Sequence, residues 1–156
     1  MNVRKPTIGR RLKTARGNSL LETALILPLL LLITFSIIEF GAMFYTYLAL
    51  ENGVSQATRY GITGNAQASM SRDDSIKAAM RDATPTITIV DGAFTMSHLP
   101  AGGSTWLAGP GGPGEIEKVT VDYDYSVMTP LLRPFFTNGV FHIRVDSSMR
   151  NESRFN

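Results

Sequence analysis

Residues 20–50 read LLETALILPLLLLITFSIIEFGAMFYTYLAL, and within them Thr23–Ile38 is uncharged and dominated by Leu and Ile. At ~1.5 Å rise per residue the uncharged run makes about 24 Å of helix, short of a ~30 Å hydrocarbon core, and continuing past Glu39 to Phe44 closes the gap. A chain of 156 residues cannot bury a helix this apolar in its own core without leaving most of that helix's surface uncovered. The stretch therefore reads as a membrane span. The competing reading is a cleaved secretory signal, whose apolar region runs ~7–15 residues to a small-x-small site. Here the apolar run is longer, continues amphipathically through Tyr45–Tyr60, and reaches Gly41-Ala42 only after the charged Glu39.

Charge gives the span a direction. The chain has 15 basic and 13 acidic residues, but Arg4, Lys5, Arg10, Arg11, Lys13 and Arg16 all fall in residues 1–17, which contain no acid. The basicity belongs to this leader and the remainder is net acidic, so no nucleic-acid-binding surface is expected. By the excess of positive charge on the cytoplasmic side, the N-terminus lies inside and the C-terminal domain outside. With no cysteine there is no disulfide, thiolate metal site or cysteine nucleophile. The expected organisation is a basic leader over 1–17, a transmembrane helix over 18–44 and one outer domain over 45–156.

Three residues are out of place in an apolar helix. A carboxylate near a bilayer centre costs roughly 2.5–3.5 kcal/mol unless it snorkels or finds a partner. Glu39 is expected to reach headgroups at the outer interface or, with Gly41, to mark a helix–helix contact. Glu22 reads either as an interfacial residue near Arg16 or as an assembly residue. Pro28 removes the bond to the carbonyl of Ala24, which a kinked membrane helix tolerates.

Together these positions carry a resemblance. Arg16-Gly17-Asn18-Ser19-Leu20-Leu21-Glu22 resembles the processing site of type IV prepilins, in which a basic leader ends in Gly and Glu stands fifth in the mature chain. With Ala24–Leu30 and Ile38-Glu39-Phe40-Gly41, it is similar to the N-terminal block of the TadE-like family of minor pilins (pseudopilins) of the tight-adherence, Flp-type IV pilus system. Thr23 stands where that family typically has an aromatic residue. Gln56-Ala57-Thr58-Arg59-Tyr60-Gly61 resembles the family's Ala-rich, Arg-bearing helix end, and a terminal strand followed by Ser148-Met149-Arg150 also fits it. The resemblance implies cleavage between Gly17 and Asn18 by a prepilin peptidase, with Glu22 and Pro28 acting in processing and assembly. It implies as partners the inner-membrane assembly platform, other minor pilins of the TadE, TadF and TadG type, the Flp major pilin and membrane lipid. The protein is then a bacterial inner-membrane, single-pass component, incorporated in a surface pilus or acting in its assembly or adhesion. It is not an enzyme and needs no cofactor. An uncleaved, membrane-tethered binding module, scaffold or enzyme is the alternative.

The outer part is expected to be α+β and pilin-like: the first helix running on to about Tyr60, a second helix and a small antiparallel sheet. Ser71-Arg72-Asp73-Asp74 has capping-box form and opens a helix over about 72–83, in which Ile76, Ala79, Met80 and Ala83 recur at helical spacing. Thr86–Val90 and Ala93–Ser97 flank Asp91-Gly92 as a hairpin. Glu115–Val127 alternates as a half-buried strand, and Phe141, Ile143 and Val145 mark a last one after Asn138-Gly139. Residues 101–114 form a Gly/Pro loop that lacks the Lys-Ser/Thr of a phosphate loop, with Trp106 expected as a core anchor. Asp122 and Asp124, and Glu115 and Glu117, pair along β-strand faces as carboxylates for Ca²⁺ or, more simply, for water. His98 and His142 are isolated, which leaves no hydrolytic constellation.

Overall fold

The computed structural model describes residues 12–154, and their side chains from residue 19 onward, so Arg4, Lys5, Arg10 and Arg11 of the leader lie outside the described residues. One helix, α1 (Leu12–Gly61), runs for 50 residues with Pro28 inside it. It is followed by α2 (Arg72–Ala83) and four strands, β1 (Phe94–Leu99), β2 (Leu107–Ala108), β3 (Ile116–Ser126) and β4 (Val140–Arg150). The strands form one antiparallel sheet in the order β2-β1-β3-β4. The architecture is the expected α+β one.

Hydrophobic period explains which part of α1 enters the core. Leu50, Val54, Ala57 and Thr58 recur three and four apart, fall on one face, and are all fully buried. They pack against Val119, Val121 and Tyr125 of β3, Ile143 and Val145 of β4, and Ile76 and Met80 of α2. Gly53 lets α2 approach, since a Cβ there would stand 2.5 Å from the Thr84 side chain. Ser71 caps α2 as its sequence predicts, its hydroxyl accepting from the amide of Asp74. The C-terminal segment returns to the end of α1, where the amide of Glu152 donates to the carbonyl of Ile62.

Three expectations fail. Thr86–Val90 is not a strand: Asp91–Ala93 is a single 3-10 turn and β1 pairs with β2 and β3. A two-residue type I′ hairpin needs positive φ at both central positions, and Gly92 is not among the residues that adopt it. Arg81 instead holds the segment along α2, its Nε donating to the carbonyl of Ile89, which is buried. Trp106 is not a core anchor; it is 41% exposed, with the Lys118 ammonium 4.2 Å from its ring centre. Glu117 is not on a solvated face. It shares the inward parity of Val119 and Val121 and is fully buried.

Candidate functional site

From Ser19 to Gly61 α1 is long and apolar enough to cross a membrane, and its most apolar part is not covered by the rest of the chain. Leu20, Leu21, Leu25, Ile26, Leu29, Leu30, Ile33 and Ile37 are all exposed. Exposed apolar surface of this extent requires a partner or a lipid phase. The hydroxyls within it are already satisfied: Thr23 donates to the carbonyl of Ser19, Thr34 to Leu30 and Ser36 to Leu32. Such i−4 back-bonding hides a polar side chain from an apolar surrounding.

The residues expected to serve in processing lie at the start of this surface. The Gly17–Asn18 bond is within α1, where Gly17 has low helix propensity. Glu22 and Pro28 are both exposed. Gly41 is exposed as well, and a Cβ there would meet nothing within 4 Å.

Glu39 has partners that neither expectation named. It is 4% exposed and is bonded within its own chain. Its Oε1 accepts from the Tyr125 hydroxyl at 3.1 Å and the Met128 amide at 2.9 Å. Its Oε2 accepts from the Thr129 amide at 2.9 Å and the Thr129 hydroxyl at 2.6 Å. Four donors on one carboxylate clasp the β3–β4 loop to the stem. Burial, followed by the bond to Glu39, pushes the Tyr125 phenol up to about 12, so it remains a donor well beyond neutral pH. Beside the clasp lies an apolar cavity of about 280 Å³, with Leu32, Phe40 and Met43 of α1 facing Leu132, Phe135 and Phe136 of the loop.

Glu39 was conspicuous in the sequence, but its partners lie 86–90 positions away. The available signals were the inward parity of Tyr125 at the end of β3 and the apolar content of 128–136, unusual for a strand connection.

The remaining candidates have ordinary partners. Asp124 pairs with His142 at 2.5 Å and Asp122 with Arg144 at 3.6 Å across the β3–β4 ladder. His98 Nδ1 lies 2.9 Å from the carbonyl of Gly109. Arg72 bonds Glu117 at 2.5 Å and donates to the carbonyls of Gly61 and Gly111, joining α1, α2, β3 and the Gly/Pro loop. Among the described residues no cluster of three or more metal-ligating side chains occurs.

Comparison with known proteins locates a relationship in the stem. Residues 17–59 match the family described as TadE-like protein, so the similarity runs from Gly17 past the core residues Leu50, Val54 and Ala57 of α1. No curated protein and no solved structure matches the chain.

Proposed function

We propose that this chain is a TadE-like minor pilin, or pseudopilin, anchored in the bacterial inner membrane and working in the assembly, initiation or surface adhesion of a tight-adherence pilus. The observation that carries the reading is the bare apolar stem of a TadE-like segment, with Gly17, Asn18 and Glu22 at prepilin spacing at its entrance. Residues 1–17 are the cytoplasmic leader, 18–44 the membrane element and 45–156 the outer domain. The leader's basic residues attract anionic headgroups at ~1 kcal/mol each and hold the Gly17–Asn18 bond at the interface.

Cleavage there by a prepilin peptidase exposes a new ammonium on Asn18. Glu22, exposed on the stem, is placed to pair with that ammonium on a neighbouring subunit. In lipid the cost of leaving the carboxylate alone turns the pairing into a register for assembly. Gly41, with open space above it, suits a close helix–helix approach. The partners of this reading are the peptidase, the inner-membrane assembly platform, other minor pilins and the Flp major pilin. No catalytic step is assigned to the chain.

The test is the mature N-terminus. Intact mass of the protein recovered from piliated cells is expected to show a chain beginning at Asn18. Gly17→Ala is expected to leave the leader attached, and Glu22→Ala to permit membrane insertion while lowering piliation. A chain that retains Met1 in piliated cells, or full piliation in both variants, would refute the proposal in favour of an uncleaved envelope anchor.

A further inference from the structure

The connection between β3 and β4 leaves the sheet at Val127 and descends along the stem. Leu131 lines one apolar groove together with Leu27, Leu31 and Phe35 of α1. Leu31 precedes Glu39 by eight residues, which places the tip of the loop about 12 Å further toward the N-terminus at ~1.5 Å per residue. The loop therefore stands beside the uncovered apolar stretch and not above it. Its own outer surface is apolar, with Phe135 73%, Met128 61% and Leu131 49% exposed.

Most of its amides are satisfied within the chain, as a lipid phase demands of N–H groups. An irregular segment in hydrocarbon must satisfy its amides internally, at a cost of several kcal/mol for each failure. Pro130 and Pro134 have no N–H. Val127 donates to the carbonyl of Gly139, Leu132 and Arg133 to that of Thr129, Phe135 to Leu132 and Phe136 to Arg133. Met128 and Thr129 donate to Glu39. From Val127 to Phe136 only the Leu131 amide is left outside this set. Arg133 is exposed, with its Nε on the carbonyl of Val127, and its remaining donors can rise to phosphate headgroups.

We propose that the Val127–Gly139 loop is a second membrane contact, with Met128, Leu131 and Phe135 entering the outer leaflet beside α1. Glu39 is the internal acceptor for two of the three amides from Val127 to Phe136 that the loop's own turns leave open. This inference rests on α1 spanning the bilayer as proposed above.

The chain contains no cysteine, so single cysteines can carry an environment-sensitive fluorophore. The full chain is labelled at Ile33→Cys, Leu131→Cys, Phe135→Cys or Thr95→Cys, all exposed positions. Each is reconstituted at low density in phosphatidylcholine–phosphatidylglycerol vesicles and challenged with acyl-chain nitroxide and with aqueous iodide. The expected result is that the probes at 131 and 135 lose most of their emission to the nitroxide, as the probe at 33 does, while the probe at 95 responds only to iodide. Nitroxide quenching at 33 without quenching at 131 and 135 overturns this inference and leaves the membrane stem standing. Absence of quenching at 33 refutes the span itself, and the inference falls with it. Shielding of 131 and 135 from both quenchers assigns the loop to a second protein copy and also overturns the lipid contact.

Discussion

Replacing Glu39 with alanine removes the acceptor for two backbone amides and two hydroxyls at once. A hydrogen bond to a charged group contributes ~1.5–3 kcal/mol, and such values do not add when the donors share one acceptor. Deleting the carboxylate leaves these donors without their acceptor, at ~1–3 kcal/mol for each that stays buried and unsatisfied. Much of that cost is expected as detachment of the β3–β4 loop, because the sheet and α2 do not depend on the clasp. Native-state hydrogen exchange of the full chain in detergent micelles reads this directly at the amides of Met128 and Thr129. A loss of ~4 kcal/mol is about a thousandfold fall in protection, at ~1.4 kcal/mol per tenfold. Glu39→Gln keeps one acceptor but turns an NH₂ group toward two of the donors, and is expected to fall between wild type and alanine. Tyr125→Phe removes a single bond and should cost ~1 kcal/mol, about a fivefold change. Unchanged exchange at Met128 and Thr129 in Glu39→Ala would refute the clasp. An equal loss in Tyr125→Phe would place the energy in the phenol and not in the carboxylate.

Two further outcomes follow from the buried end of α1. Gly61→Ala places a Cβ 2.3 Å from Glu117 Oε1 and is expected to destabilise by about 1–3 kcal/mol in denaturant titration. Gly41→Ala, with nothing within 4 Å, is expected to leave stability level or raise it by ~0.5–1 kcal/mol, while weakening subunit association wherever that face packs on another stem. Glu117 is shifted in the opposite sense to the paired surface carboxylates Asp74 and Asp91, since burial raises its pKa above 4.5 despite the Arg72 guanidinium. A raised folded pKa means the native state holds the proton more tightly than the unfolded chain. That contribution is complete below the unfolded value and is lost as pH rises through the folded one. Melting temperature is therefore expected to decline as pH rises from 4.5, and Glu117→Gln to flatten the decline.

Local rules made α1, α2, β3 and β4 legible because each carries its own period and punctuation. The cap at Ser71, the alternation from Val119 to Tyr125 and the break at Gly61 act over a few residues, and the structure agrees with each. The failures are all long-range. Asp91-Gly92 has the composition of a hairpin turn, but β1 pairs with β2 on one edge and β3 on the other, so Thr86–Val90 has no place in the sheet. β2 itself, two residues in a Gly/Pro loop, has no period to detect. Glu117 lay on the inward parity of its strand, yet its burial depended on Arg72, a residue on another element. The candidate site divides the same way. Gly17, Glu22 and Pro28 stand out as candidates because spacing along one helix defines them, whereas the bonding of Glu39 is written in Tyr125, Met128 and Thr129.

The unbroken course of α1 sets a compass bearing for the whole molecule. Leu50, Val54 and Ala57 fix which side of the helix the sheet occupies, and Glu39 repeats that fix nearer the stem. Past Pro28 no hinge intervenes between the two. The azimuth at which one stem meets a neighbour therefore dictates which surface of the outer domain faces away from the axis. A substitution that rotated the packing face of the stem by one residue would swing that surface by about 100°, the angular step of a helix with ~3.6 residues per turn.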